Sequence, residues 1–119
     1  MVSQPIPNVS STDVARVVCR DFPADIVSAV HAILDDYGQA SWQREPHRVQ
    51  LAALKLAAGS VERLRSEIES AKRDYRDVLA NAEYPGYFKG VPSSGALPQE
   101  DEQRIIDTDW KQYQDWLAR

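Results

Sequence analysis

The residues most able to do chemistry are few. His31 and Asp35 stand four apart, and Glu45 and His47 flank Pro46. Two imidazoles and a carboxylate suit a divalent cation if the fold brings them together, so His31, Glu45 and His47 form the candidate metal set. At about 100° per helical residue, however, His31 falls at the flank of an apolar arc and Asp35 on its outer side. One ion cannot readily draw both.

A second candidate is basic. Arg44, Arg48 and Lys55, with His47 among them and Trp42 just before, combine cations with an aromatic ring in the way that suits single-stranded nucleic acid. Against this, Arg48 and Lys55 form one polar edge of an otherwise apolar helix. With 14 Lys+Arg against 18 Asp+Glu the net charge is −4, which gives no general attraction to phosphate. Nucleic acid is therefore the weaker reading.

Catalytic and cofactor motifs do not occur in the sequence: there is no G-x-S-x-G, Walker-type loop, H-E-x-x-H, C-x-x-C or dinucleotide fingerprint. Only two histidines are available to activate a serine. No catalytic residue, metal or cofactor is assigned. The single cysteine, Cys19, excludes an internal disulfide and any multi-thiolate zinc site, and beside Val17 and Val18 it reads as a small buried thiol.

These residues must be positioned by one core. A chain of 119 residues buries roughly 65% of the surface of its unfolded form. No apolar run approaches the roughly 20 residues of a membrane span, and the opening MVSQPIPNVSSTD has neither a basic start nor an apolar stretch. The expectation is a cytoplasmic protein.

Periodicity predicts helices throughout. Residues 1–10 read as a loose arm and 11–119 as one helical domain. A short helix over 12–20, capped by Ser11 or Thr12, carries Val14, Val17 and Val18. A second over 23–37 starts at Pro23, stops at Gly38, and presents Ile26, Val30, Ile33, Leu34 and Tyr37 on one face. Trp42, in the linker that follows, is expected to cover a helix end.

The third helix, 45–58, has Val49, Ala52, Ala53, Leu56 and Ala57 on one stripe, with Leu51 and Leu54 opposite. A helix apolar on two sides is central to the bundle or shared with a partner. The fourth, 61–83, is capped by Ser60 and repeats Val61, Leu64, Ile68, Ala71, Tyr75, Val78 and Ala82 at alternating steps of three and four. Glu69 is placed to pair with Arg73, and Glu67 and Lys72 fall where charges pair across a parallel dimer. A fifth helix, 99–118, has an acidic opening suited to its N-terminus and a face of Ile105, Ile106, Trp110, Tyr113, Trp116 and Leu117. The fold class is all-α: a small helical bundle of four main helices plus a short N-terminal one.

The run RDYRDVLANAEYPGY, residues 73–87, with REPHRVQLAALKLAAGSVERLR before it, resembles a family of short all-helical bacterial proteins of unassigned function. The D-Y-R-D-V-L-x-x-A-E-Y-P segment, Asp74 to Pro85, is its most specific part. The resemblance spans roughly residues 22–117. It implies a small cytoplasmic bacterial helical protein and carries over no site residues.

Two features remain. Asp109 falls inside the apolar face of the last helix and must reach water or a donor; an arginine of RDYRD is the partner expected first. The loop 84–98 holds Tyr84, Tyr87, Phe88 and Lys89, with Tyr87 and Phe88 expected to fold back over apolar surface and Ser93 to Gly95 as a mobile tip. Strapping is favoured over binding for this loop.

The reading is a non-catalytic accessory or adaptor-like protein acting through protein contacts, its partner unnamed. The candidate contact residues are Trp42, His47, Leu51, Leu54, Tyr84, Tyr87, Phe88 and Lys89. The leucine face of the third helix leaves monomer and homodimer equally open.

Overall fold

A computed structural model describes residues 4–90 and 97–119, and among them every regular element is a helix. The elements are α1 (Ser11–Asp21), a 3-10 turn (Ala24–Ile26), α2 (Val27–Asp35), α3 (Pro46–Ala57), α4 (Val61–Glu83), α5 (Pro85–Gly90) and α6 (Gln99–Ala118). The chain is an all-α helical bundle. The expected serine-glycine tip, Ser93 to Gly95, lies outside the described residues.

α3 is the centre, packed most extensively on α4 and next on α1. Val49, Leu51, Ala52, Ala53, Leu54 and Ala57 are all fully buried, so the two apolar sides of this helix face two walls of one bundle. Its alanines keep those walls close. Pro46 occupies the first turn, where its missing N–H costs nothing. Ala58 and Gly59, both at positive φ, end the helix and reverse the chain into α4.

The ends of the other helices show which local signals prevailed. At α1 the Asp13 carboxylate accepts from the Ser10 backbone N–H at 2.9 Å, so the cap is Ser10, one residue before Ser11 and two before Thr12, the expected caps. Cys19 is exposed, not buried; Val14, Val17 and Val18 face inward, and the next residue is turned roughly 100° away from Val18. The expected 23–37 helix is shorter. Pro23 stays extended, Ala24–Ile26 make a 3-10 turn, and Ile26 sits near φ −113°, ψ 3° before α2 begins.

α4 keeps its expected buried positions, Leu64, Ile68, Ala71, Val78 and Ala82, but it is not one straight rod. Asp74 adopts φ −155°, ψ 99° inside it. Its carboxylate accepts from the Arg76 N–H at 3.1 Å and pairs with the Arg76 guanidinium, which makes Asp74 a cap for the second half. The acidic, hydrogen-bonding side chain that makes Asp a poor interior helix residue makes it a good one here.

Of the dimer-type charges of α4, Lys72 is used within the chain. Lys72 pairs with Asp36 at 2.8 Å and Glu69 at 3.2 Å. Arg73, expected on Glu69, donates to the Ser70 hydroxyl instead. The residue 4–10 segment is also not loose: Pro7 is buried, Val9 packs on the core, and the Tyr84 hydroxyl donates to the Pro5 carbonyl.

Candidate functional site

The metal reading fails on geometry. Among the described residues no three His, Cys, Asp or Glu side chains come together as an ion-binding set, so the fold does not assemble His31, Glu45 and His47. Glu45 is instead an exposed partner of Arg48, at 2.7 Å.

The basic reading is divided by the same helix that suggested it. The Arg48 guanidinium forks onto Glu83, with Nε to Oε2 at 2.8 Å and Nη2 to Oε1 at 2.6 Å. Hydrogen bonding to Glu83 is the main reason the Arg48 pKa is raised further above its already high value. Bidentate geometry and burial make this a strong, structurally committed pair. Lys55 lies two turns on and lines a different cavity, beside Arg20 and Gln112, whereas Arg48 borders a groove with Pro7 and Asn8. Arg44, Arg48 and Lys55 therefore do not form one cationic surface, and only Arg44 is free in water.

The loop between α2 and α3 is held by groups that sequence reasoning passed over. Gln43, nearly buried, turns its Oε1 onto the N–H groups of Gly38, Gln39 and Ala40 at 2.8, 3.0 and 3.2 Å. Gln50, also buried, donates to the Leu34 carbonyl at 2.9 Å. Tyr37 donates to the Arg44 carbonyl at 2.9 Å, and burial foremost pushes its hydroxyl up to about 12. With three such ties in place, Trp42 is not needed to cover a helix end. It is 54% exposed.

The segment expected to be the first part of a loop is α5. Asp109 of α6 accepts from the Gly86 N–H at 3.0 Å and the Tyr87 N–H at 2.8 Å, so its partners are two backbone amides and not an arginine of RDYRD. A carboxylate on the free amides of a helix start satisfies donors that the helix itself cannot. Gly86 leaves room for this contact: a Cβ would sit 2.8 Å from Asp109 Oδ1, so the carboxylate would have to shift. The pattern "acid inside an apolar face" flagged Asp109; nothing in sequence spacing points to its target 23 residues upstream.

These contacts sort the expected interaction residues. Leu51 and Leu54 are fully buried in the chain's own core, and Tyr84 is buried as well, its hydroxyl raised to about 12 chiefly by desolvation. None of the three offers free surface, because each fills space between helices. Tyr87 is half-buried and donates to Glu102 at 2.7 Å, which straps α5 to α6. His47 and Lys89 are exposed. Phe88 is 52% exposed and Ile6, which the sequence did not single out, 63%.

No family model, curated protein or solved structure matches the chain.

Among the described residues, one buried side-chain polar atom has no partner. The Tyr113 hydroxyl is sealed in the core without a hydrogen bond, its ring 5.5 Å from that of Trp116. Burial is the main cause of its raised pKa. An unpaired buried hydroxyl costs about 1–3 kcal/mol. Tyr113→Phe is expected to raise stability by about 1 kcal/mol in urea unfolding with an unchanged slope; a loss of stability means that a hydrogen bond is being removed.

Proposed function

We propose that this protein acts by binding another protein through the exposed aromatic side chains Trp42 and Phe88, with His47 and Lys89 as polar neighbours in the contact. The observation that carries the reading is selective exposure. The bundle buries Leu51, Leu54, Tyr84 and Tyr113, yet leaves Trp42 and Phe88 more than half in water. Large aromatics are enriched at interfaces and are residue types on which interface energy concentrates. The segments that carry them, the connection between α2 and α3 and the short helix α5, are braced by Gln43 and Asp109, which lowers the ordering cost of binding.

In this reading the protein is a cytoplasmic bacterial accessory factor without an active site of its own. No helix among the described residues is long and apolar enough to cross a membrane. Self-association, if it occurs, uses Trp42 and Phe88, because the α3 leucines are occupied.

Trp42→Ala and Phe88→Ala are each expected to leave the melting temperature within about 2 °C, the effect of a surface substitution. Each is expected to weaken partner capture by about tenfold or more, since truncating an interface anchor costs about 2 kcal/mol. Capture from native lysate is measured against the wild type with identification by mass, and sedimentation reports self-association. Unchanged capture and unchanged mass for both variants overturn the reading.

A further inference from the structure

The arm that leads into α1, residues 4–9, reads QPIPNV and has no regular secondary structure. Each of its prolines fixes its own φ at about −65° and pushes the residue before it, Gln4 or Ile6, towards extended backbone. The arm is thus a polyproline-type segment whose shape is set before it meets the bundle. Such a backbone makes no internal hydrogen bonds, so its carbonyls are free to accept from elsewhere.

The bundle provides a groove for it. The Pro7 ring is buried, Val9 packs on the core, and the Tyr84 hydroxyl, at the turn between α4 and α5, donates to the Pro5 carbonyl. The start of α3 forms the other wall: Pro46, His47 and Arg48 line a cavity of about 230 Å³ together with Pro7, Asn8 and Val9. Glu45 on the same wall holds φ 49° and ψ 58°, a left-handed conformation that a non-glycine residue adopts only at a cost. A pocket for a proline beside an aromatic side chain is the means by which Pro-rich segments are read.

The arm is seated at few points. Among the described residues none of its backbone N–H groups is hydrogen bonded, and Pro5 supplies its one engaged carbonyl. Ile6 is 63% exposed, and the cavity between the arm and α3 is space that the arm does not fill. The groove is therefore wider than its present occupant. Tyr84 in turn has no other acceptor for its hydroxyl among the described residues, so when the arm leaves, a second carbonyl is needed in the same place.

We propose that this groove is a recognition site for an extended Pro-x-Pro segment of a partner protein, occupied in cis by residues 4–9 and freed when the partner's segment displaces them. The chemistry of the occupant follows from the one already in place: a proline ring for the buried position of Pro7, and an extended backbone that offers a free carbonyl to Tyr84. The arm, tethered at Ser10, competes at an effective concentration of about 1 mM. A partner segment prevails by filling the cavity that the arm leaves open. This contact goes beyond the one proposed for Trp42 and Phe88, with His47 common to both.

The test titrates a fluorescein-labelled peptide of the arm sequence, QPIPNVS, into the full chain and reads anisotropy. Pro7→Ser, which weakens the arm in the protein but not in the peptide, is expected to bind the peptide about tenfold or more tightly than the wild type, because the cis competitor is lost. Pro5→Ala, at a ring that is only half-buried, gives the same direction of change without emptying the buried position. Adding Tyr84→Phe to either variant is expected to weaken the peptide about fivefold, the value of one hydrogen bond. The same peptide with both prolines changed to alanine should bind far less. Equal affinity for the wild type and both loosened variants, equal affinity for the proline-free peptide, or no binding up to about 1 mM overturns the site. Sedimentation of the unliganded chain separates a second source: a dimer that the peptide dissolves means that the groove takes the arm of another copy, and overturns the partner segment. The titration reads the groove and lysate capture reads Trp42 and Phe88, so each proposal can fail without the other.

Discussion

Replacing Glu83 with alanine is expected to cost about 3–5 kcal/mol, because it leaves the Arg48 guanidinium beside the core without its forked partner. The Glu83 side chain is 2% exposed and that of Arg48 16%, so water cannot take over the bonds without entering the bundle. Glu45, at 2.7 Å from Arg48, offsets part of the loss, but it is exposed and reaches a different nitrogen. The Glu83 backbone is also engaged: Gln112 donates to the Ala82 and Glu83 carbonyls at 3.3 and 3.4 Å. Substitution of the side chain leaves those bonds in place. For a domain of this size the loss corresponds to a melting temperature lower by roughly 10–20 °C.

The double variant Arg48→Met with Glu83→Leu separates pairing from packing. Two apolar residues of similar volume remove both desolvation penalties, and such replacements are often neutral or stabilising. The double variant is therefore expected to recover most of the loss caused by Glu83→Ala alone. Urea unfolding of the wild type, each single variant and the double variant gives the coupling energy directly. A Glu83→Ala loss under about 1 kcal/mol would mean that solvent reaches the pair.

Much of the fold was legible in sequence because apolar periodicity reports burial wherever a helix has one wet side. Most buried residues of α1, α4 and α6 fall on the expected stripes; Leu79 and Glu83 of α4 are buried beside theirs. What periodicity does not report is polar traffic between elements. Arg48 and Glu83 are 35 residues apart, and Asp109 reaches back to Gly86 and Tyr87. Each of these acids looks locally like solubility or like an anomaly. Their partners become visible only once α3, α4 and α6 are packed.

The same limit explains the reassignment of the candidate site. Leu51 and Leu54 were ambiguous because a two-sided apolar helix looks alike at the centre of one bundle and at a dimer face. The presence of α1 on one side and α4 on the other decides it. Lys55 looked like one of three cations in a patch, but a helical step of seven residues carries it to another cavity.

Asp109→Ala is the second large effect, with an expected loss of about 2–4 kcal/mol. The carboxylate is 5% exposed and accepts two backbone N–H bonds at the start of α5; hydrogen bonds to a charged group are worth about 1.5–3 kcal/mol each, and amides left unpaired cost more when water cannot reach them. α5 has only six residues, too few to persist as an isolated helix, so its conformation depends on this anchor and on the bond from Tyr87 to Glu102. Hydrogen exchange should show it. Amides of residues 86–90 are expected to lose protection in Asp109→Ala, while those in the α3 core lose only what the global destabilisation requires. Asp109→Asn retains one acceptor oxygen and loses the charge, so it should fall between the two. Gly86→Ala approaches the same site from the opposite side, because its new methyl meets the carboxylate at 2.8 Å and the Asp109 side chain must shift from its present position. If protection at 86–90 survives Asp109→Ala, the Tyr87–Glu102 bond and packing alone suffice to hold α5.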